Sequence, residues 1–211
     1  PETGAHIQRM AHYSQLIAEA LGLPEAQQQL ILEAAPMHDV GKIGIPDYIL
    51  LKPGKLTTEE FAIMKGHARI GYELLCDSGS RVLQAGAEIA NAHHEKFDGS
   101  GYPNGLQGEA IPLFGRIVAV ADVFDALTSE RPYKKAWSLE DACRFLEEGR
   151  GSHFDPACVG AFLARWDKVL AIRRRFQDES VPSFLRAGPP WNSCRAASTS
   201  RSPWPFPCSL P

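Results

Sequence analysis

The 211-residue sequence has little net charge, few cysteines and no long apolar run. A formal charge of −3 provides no basic field to attract a nucleic acid polymer, so we expect no partner of that kind. No apolar run reaches the roughly 20 residues that cross a bilayer, and we therefore expect no membrane span. The five cysteines are an odd number, three of them inside helical patterns, which favours reduced thiols over a disulfide framework.

The sequence instead contains amphipathic helical patterns along most of its length. Apolar residues recur at the spacing of one helix face in five segments, which are 4–21, 24–37, 57–75, 81–94 and 113–128. Thr57 and Glu60 form the sequence signature of a capping box, and Ser138 and Asp155 are typical N-terminal caps of two further helices. We therefore predict an all-α domain built as a bundle of helices.

A change of composition after Phe176 predicts a domain boundary. Beyond that residue the chain is rich in Pro, Ser and Gly, with scattered Trp and little periodicity. We expect residues 1–176 to form the helical domain and residues 177–211 to be a disordered tail. Because the sequence begins with Pro1 inside a motif, we also expect the chain to be a fragment whose N-terminal part has been removed.

The candidate functional residues are histidines and carboxylates that lie in or beside the helical patterns. His38 and Asp39 are adjacent in an apolar setting, where a buried carboxylate needs a cationic partner or a metal ion. Six further side chains of metal-ligand type occur along the chain: Glu2, His6, His67, His93, His94 and Asp122. A mixed set of imidazole and carboxylate ligands fits iron or manganese, and the set is larger than one ion needs.

Each of these residues also has a plainer interpretation when it is taken alone. The His38–Asp39 pair could be a polar helix end, and Glu2 with His6 could be a surface contact one turn apart. His67 could be a satisfied core histidine. The two adjacent histidines at the end of segment 81–94 could be cationic side chains, which the last turn of a helix favours. Their occurrence together favours a metal centre.

Two longer runs of sequence resemble the motifs of a known family. The run from His38 to Asp47 resembles the signature of the HD superfamily of metal-dependent phosphohydrolases. The run from His93 to Pro103 resembles the mark of its HD-GYP branch, whose members hydrolyse the bacterial second messenger cyclic di-GMP. The likeness covers residues 1–176. It implies an HD-type helical bundle around a multinuclear metal site.

The resemblance also implies roles for particular residues. It places Glu2 and His6 in the metal cluster and makes Asp39 the bridging carboxylate. The implied centre holds two or three divalent ions, which are iron in the family, and the ligand types leave manganese as the alternative. The loop of Gly101, Tyr102 and Pro103 is expected beside the metals, where substrate or partner proteins contact it.

Asp122 and Asp125 interrupt an otherwise apolar helical segment. An Asp at such a position is costly unless it coordinates a metal or accepts hydrogen bonds. Asp122 matches the last metal ligand that the resemblance implies. Asp125 follows one helical turn later, and we expect it to orient a ligand histidine or the bound water from outside the ligand set.

Positive side chains near the predicted ligands are candidates for phosphate contacts. Lys42 follows His38 by one helical turn, and we predict that His38, Asp39 and Lys42 are the catalytic residues. Arg131 and Lys134 follow the segment of apolar residues that ends at position 128. We predict Lys42, Arg131 and Lys134 as substrate-binding residues, although the same residues elsewhere would be solvated surface charge.

The resemblance, which these residues support, implies a cytoplasmic bacterial phosphodiesterase that opens cyclic di-GMP to pGpG, with further hydrolysis to GMP. The hypothesis for the chemistry is in-line attack of a metal-activated water on a phosphodiester phosphorus. We expect an upstream receiver or sensory domain, as in a two-component system, and signalling proteins that bind the Gly-Tyr-Pro loop. Two alternatives stay open: a metal phosphohydrolase for another cyclic dinucleotide or nucleotide, and a catalytically silent sensor or docking domain.

Overall fold

The computed structural model describes residues 4–130 and 135–177. Every secondary-structure element assigned in these ranges is a helix, apart from an isolated bridge between Arg150 and Phe154. The predicted all-α class is therefore confirmed. The proposed tail lies outside the described residues from position 178 onward. Among the helices described, none combines the length and the apolar character that crossing a bilayer requires.

Nine α-helices and three short 3₁₀ turns follow one another in the described part of the chain. The α-helices are α1 (Gly4–Ala20), α2 (Glu25–Ala34), α3 (Asp47–Leu50), α4 (Thr58–Leu75), α5 (Arg81–Ala90), α6 (Leu113–Thr128), α7 (Leu139–Glu148), α8 (Pro156–Leu163) and α9 (Trp166–Arg175). The 3₁₀ turns are Ala35–Met37, Val40–Gly44 and Gly108–Ala110.

Helix α1 packs against α2, α6, α8 and α9, and buried aromatic rings fill the space between them. The ring of Tyr13 meets that of Phe124 edge to face, with 5.5 Å between centroids, and Phe124 meets Phe162 at 4.9 Å. Such contacts favour one relative position of the helices beyond what burial alone provides. Because His6 is on α1 and Asp122 is on α6, this packing also fixes the distance between two predicted ligands.

Three helix starts follow the capping signals that were read from the sequence. Thr57 Oγ1 accepts from the backbone N of Glu60 (3.3 Å), and Glu60 Oε2 accepts from the backbone N of Thr57 (2.8 Å), which completes a capping box. Ser138 caps α7 and Asp155 caps α8 through bonds of 3.0 Å and 2.8 Å to backbone N–H groups. These signals are local, and the sequence predicted them correctly.

Two predicted helices are shorter in the structure. Segment 24–37 changes from α-helix to a 3₁₀ turn at Ala35, next to Pro36, which has no N–H to continue the helical ladder. Segment 81–94 ends as a helix at Ala90, and His93 and His94 lie in the turn that follows. The turn brings Ala92 against α6 at Gly115, where an added Cβ would lie 2.5 Å from the Cβ of Ala92.

The predicted apolar face of α4 is only partly buried. His67 is buried, but 48% of Phe61 and 56% of Leu74 remain exposed. Helical spacing therefore identified the helix correctly and overestimated how much of its apolar face is covered. The exposed ring of Phe61 lies in the first turn of α4, next to the capping box.

The turn that carries His38 and Asp39 packs directly on the backbone of α4. A Cβ added to Gly41 would lie 2.0 Å from the carbonyl oxygen of His67 and 2.4 Å from the backbone N of Gly71. Real Cβ atoms do not approach backbone atoms so closely. Glycine at position 41 is therefore required for the His38–Asp39 turn to approach the helix that supplies His67.

We predict that Gly41→Ala separates this turn from α4 and lowers the free energy of unfolding by about 1–3 kcal/mol, the usual cost of overpacking. Urea unfolding measures the change. Gly66→Ala in the same helix is the matched control, because its added Cβ meets nothing within 4 Å. We expect this control to be neutral or more stable by up to about 1 kcal/mol. Equal effects of the two substitutions would contradict the packing argument.

Candidate metal centre

The predicted ligands within the described residues converge on one internal site. Four of them place one donor atom each within 4.8 Å of one another, and these are Asp39, His67, His93 and His94. A second group with the same property consists of His6, His38 and Asp122. The predicted ligand Glu2 and the predicted phosphate contacts Arg131 and Lys134 lie outside the described residues.

Asp39 lies between the two groups and directs one carboxylate oxygen to each. Its Oδ2 is 3.2 Å from Nε2 of His38, and its Oδ1 is 3.1 Å from Nε2 of His67. The same Oδ1 is 3.8 Å from Nε2 of His93. A carboxylate in this position can bind two adjacent cations, one through each oxygen. The position between the two groups is compatible with a bridging role, which stays a prediction.

Backbone carbonyls fix the orientation of three of the imidazole rings. Nδ1 lies 3.1 Å from a carbonyl oxygen in His38, 2.8 Å in His67 and 3.1 Å in His93. A carbonyl oxygen can only accept, so Nδ1 carries the hydrogen and the lone pair of Nε2 faces the centre of the site. This tautomer is the one that binds a metal through Nε2.

The Nε2 atoms of His67 and His93 are buried and form no hydrogen bond within the described part of the chain. A buried polar atom that is left in this condition costs free energy, and a metal ion would remove that cost. Together with the two donor groups, these atoms show that the site could hold divalent ions. The residues present therefore fit a metal centre.

Burial keeps the adjacent histidines uncharged. Burial, together with a smaller contribution from the nearby imidazole of His67, lowers the pKa of His94 to about 3. Burial also holds the pKa of His93 well below its usual range, with contributions from His94 and His38. Because neutral imidazole is the form that binds a metal ion, both rings are in the form required at ordinary pH.

A buried ionic network contacts His6 through Nδ1, the ring nitrogen that faces away from Asp122. Nδ1 of His6 is 2.8 Å from Oδ2 of Asp125, and Arg9 donates to both oxygens of Asp125 at 2.5 and 2.9 Å. Burial alone would raise the pKa of Asp125, but hydrogen bonds from His6 and Arg9 and the charge of Arg9 hold it below its usual value. Asp125 therefore stays anionic. The other ring nitrogen of His6, Nε2, lies 3.8 Å from Oδ1 of Asp122.

Arg9 was not identified from the sequence. It is 3% exposed, which is rare for arginine, and its guanidinium also donates to Ser129 Oγ (2.8 Å) and to the carbonyl of Phe176 (2.7 Å). The sequence signal that could have identified Arg9 is its position three residues after His6, on the apolar face of α1. Placed there, Arg9 links the start of α1 to α6 and to the residue after α9.

Lys42 lies at the mouth of the site. Its Nζ is 2.5 Å from Oδ2 of Asp39, and 33% of its side chain is exposed. The ammonium group therefore contacts the shared carboxylate on one side and solvent on the other. This position is suitable for a contact with a phosphate oxygen, which remains the predicted role of Lys42.

The Gly-Tyr-Pro loop folds over the metal site and is held there by Glu95, a second residue that was not identified from the sequence. Glu95 is buried, and it accepts hydrogen bonds from the backbone N atoms of Asn104 (2.7 Å) and Leu106 (3.1 Å). A Cβ on Gly101 would lie 2.5 Å from Cα of Glu95, so the loop needs glycine at this position. The ring of Tyr102, followed by Pro103, stacks on His94 with 4.7 Å between centroids.

Comparison with known proteins identifies the family. The family model described as HD domain matches residues 1–158. The chain belongs to the HD domain family, and the resemblance to its HD-GYP branch is confirmed. The HD-type helical fold predicted from the sequence is confirmed as well.

Two curated relatives and one solved structure illustrate the similarity. The cyclic di-GMP phosphodiesterase response regulator RpfG of Xanthomonas campestris is 60% identical over 179 residues, which are 85% of this chain and 47% of RpfG. The 3'3'-cGAMP-specific phosphodiesterase 2 of Vibrio cholerae is 51% identical over 177 residues, 84% of this chain and 34% of that protein. The chain thus spans less than half the length of either relative.

The crystal structure of a cyclic GMP-AMP-specific phosphodiesterase of V. cholerae (V-cGAP3) has a TM-score of 0.60 to this chain at 20% identity. The similarity covers 88% of this chain and 49% of the other. At this level of identity, the comparison supports the fold alone.

We predict that Asp125→Asn weakens divalent metal binding about 10- to 100-fold, because the substituted amide no longer provides the charge that orients His6. Competition with a chelator, followed by metal analysis, measures the affinity. Asp167→Asn, at an exposed position on α9, is the control and should bind metal like the wild type. Circular dichroism establishes that both variants are folded. Wild-type affinity in folded Asp125→Asn would show that this network does not support the metal site.

Proposed function

We propose that this chain is the hydrolase domain of a metal-dependent phosphodiesterase that opens cyclic di-GMP to pGpG and then hydrolyses the product to GMP. The observation that carries the proposal is the pair of adjoining donor groups that share Asp39. Two adjacent cations are a recurring arrangement in enzymes that cleave phosphate esters. The relative from X. campestris, which carries the name of a cyclic di-GMP phosphodiesterase, supports this choice of substrate.

The proposed cofactor is iron, with manganese as the alternative. Mixed imidazole and carboxylate donors without a thiolate suit these metals better than zinc. We assign one ion to Asp39, His67, His93 and His94, and one to His6, His38 and Asp122, with Asp39 shared. Glu2 is proposed as an additional carboxylate ligand, and it allows for a third ion. When bound, the ions lower the pKa of water and stabilise negative charge on the phosphoryl oxygens.

The chain's own residues provide positioning and protection from bulk water. His38 and Asp39 act as catalytic residues through their place at the junction of the two groups. Burial keeps the neighbouring imidazole of His93 neutral. Lys42 at the mouth offers its ammonium to a phosphate oxygen of the substrate. Arg131 and Lys134 are proposed as further phosphate contacts.

A second candidate substrate is 3'3'-cGAMP. The observation that favours it is the 51% identity to the V. cholerae enzyme named as specific for that dinucleotide. The metal centre alone does not separate the two, because both substrates present the same kind of phosphodiester. Parallel turnover assays with cyclic di-GMP, 3'3'-cGAMP and cyclic di-AMP distinguish them.

We further propose that the domain works in the bacterial cytoplasm together with a receiver or other sensory module of a longer protein. The name of the X. campestris relative, a response regulator of which this chain spans 47%, supports that arrangement. The Gly101-Tyr102-Pro103 loop is the proposed contact for signalling proteins, because it lies over the metal site and is anchored by Glu95.

We predict that Asp39→Asn reduces turnover of cyclic di-GMP by at least about 100-fold in the metal-supplemented chain, because the shared negative charge between the ions is lost. His38→Ala should have a comparable effect. The release of pGpG, followed by chromatography, measures the rate. The control is Glu73→Gln, an exposed position on the helix that also carries His67.

Unchanged turnover in both Asp39→Asn and His38→Ala would contradict this mechanism. Absence of turnover with any metal, together with retained binding of a partner protein, would favour a sensor or docking domain instead.

A further inference from the structure

A continuous row of aromatic side chains leads from the metal centre to the surface. His67 and His94 are 5.0 Å apart between ring centroids, and Tyr102 stacks on His94 at 4.7 Å. The next ring is that of Phe61, which meets Tyr102 edge to face at 6.4 Å. The row therefore begins at proposed metal ligands and ends at a phenylalanine that is 48% exposed.

A lysine accompanies the outer end of this row. The Nζ atom of Lys65 lies 5.4 Å from the ring centroid of Phe61 and 5.7 Å from that of Tyr102. Lys65 follows Phe61 by one turn of α4, so the two side chains share a helix face. Contact with the ring faces holds the ammonium group at the rim of the site, apart from Lys42, whose Nζ contacts Asp39 inside the mouth.

We propose that Phe61 and Lys65 form a nucleobase subsite of this phosphodiesterase. In this subsite, a base of the cyclic dinucleotide stacks on the ring of Phe61 and displaces the Lys65 ammonium group from that ring face. The ammonium group then donates hydrogen bonds to the O6 and N7 acceptors of guanine. The inference rests on the proposed function, and it adds residues that select the base. None of the residues that would hold the metals takes part.

The chemistry of the substrate supports this placement. A cyclic dinucleotide carries one base on each sugar beside the phosphodiester ring, so a phosphate held at Lys42 and the proposed metals leaves a base toward the rim. Stacking on an aromatic ring is available to every base and does not by itself select one. Guanine presents two adjacent acceptors, whereas adenine presents the N6 amino group as a donor beside N7. An ammonium group at this edge therefore favours guanine.

The proposed stacking of a base on Phe61 is tested with Phe61→Ala in the 211-residue chain. We expect KM for cyclic di-GMP to rise about 5- to 150-fold, the range that loss of one stacked base implies, with little change in kcat and unchanged metal content. Phe61→Trp should restore a KM close to the wild-type value. The control is Ile63→Ala, an exposed apolar residue on another side of α4. A wild-type KM in Phe61→Ala would overturn the stacking role.

The selection of guanine is tested with Lys65→Met. We expect the affinity for cyclic di-GMP, measured as KM, to fall about 5- to 150-fold more than the affinity for cyclic di-AMP, measured as a competitive inhibition constant. Lys168→Met, at an exposed position that pairs with Glu19, removes the same charge elsewhere and should change neither value. Equal losses for the two dinucleotides would show general attraction of phosphate and would overturn the selective role.

The wild type, assayed in parallel, separates failure of this inference from failure of the proposed function. A wild-type chain that cleaves no cyclic dinucleotide with any metal would overturn the proposed function. An active wild type whose KM is insensitive to both substitutions would overturn the subsite alone.

Discussion

The carboxylate of Asp39 is the point on which the remaining structure depends. A largely enclosed negative charge must be compensated, and Lys42 provides one positive charge beside it. Imidazoles also meet this carboxylate from different parts of the chain, and a bound cation would join them to it. His67 reaches it from α4, His38 from the adjacent turn and His93 from the turn after α5. The helices must therefore meet closely at one point, and glycines at positions 41, 71 and 115 provide the close backbone contacts that allow it.

The site combines uncharged and charged groups, and the distinction follows from what each group contacts. His93 and His94 are surrounded by other imidazoles and by apolar atoms, so burial keeps them neutral. Asp125 is equally enclosed, but it stays charged because Arg9 donates to both of its oxygens. The neutral imidazoles of His93 and His94 and the carboxylates of Asp39 and Asp122 face the space available to cations, and the ion pair of Arg9 with Asp125 lies behind His6. The arrangement orients ligands at a cost in stability that an apolar interior would avoid.

Sequence reasoning identified the elements whose causes are local. The capping box at Thr57 and the helix of residues 113–128 depend on neighbours in the chain, and both are found as predicted. The end of α5 at Ala90 and the exposure of Phe61 depend on contacts between distant segments, which spacing does not reveal. Arg9 and Glu95 escaped notice for the same reason, because their importance comes from what they contact after folding.

The division between inner and outer parts of the site explains how similar chains can differ in substrate. Relatives that are 60% and 51% identical to this chain carry the names of enzymes for different cyclic dinucleotides. In the proposed function, the metal ligands act on the phosphodiester, which these substrates share, so they provide no means of telling guanine from adenine. Discrimination then comes from side chains that reach a base, which in our proposal are Phe61 and Lys65. On α4 the same helix supplies His67 to the interior and Phe61 with Lys65 to the rim. Selectivity can therefore change at the rim while the centre that cleaves the bond stays the same.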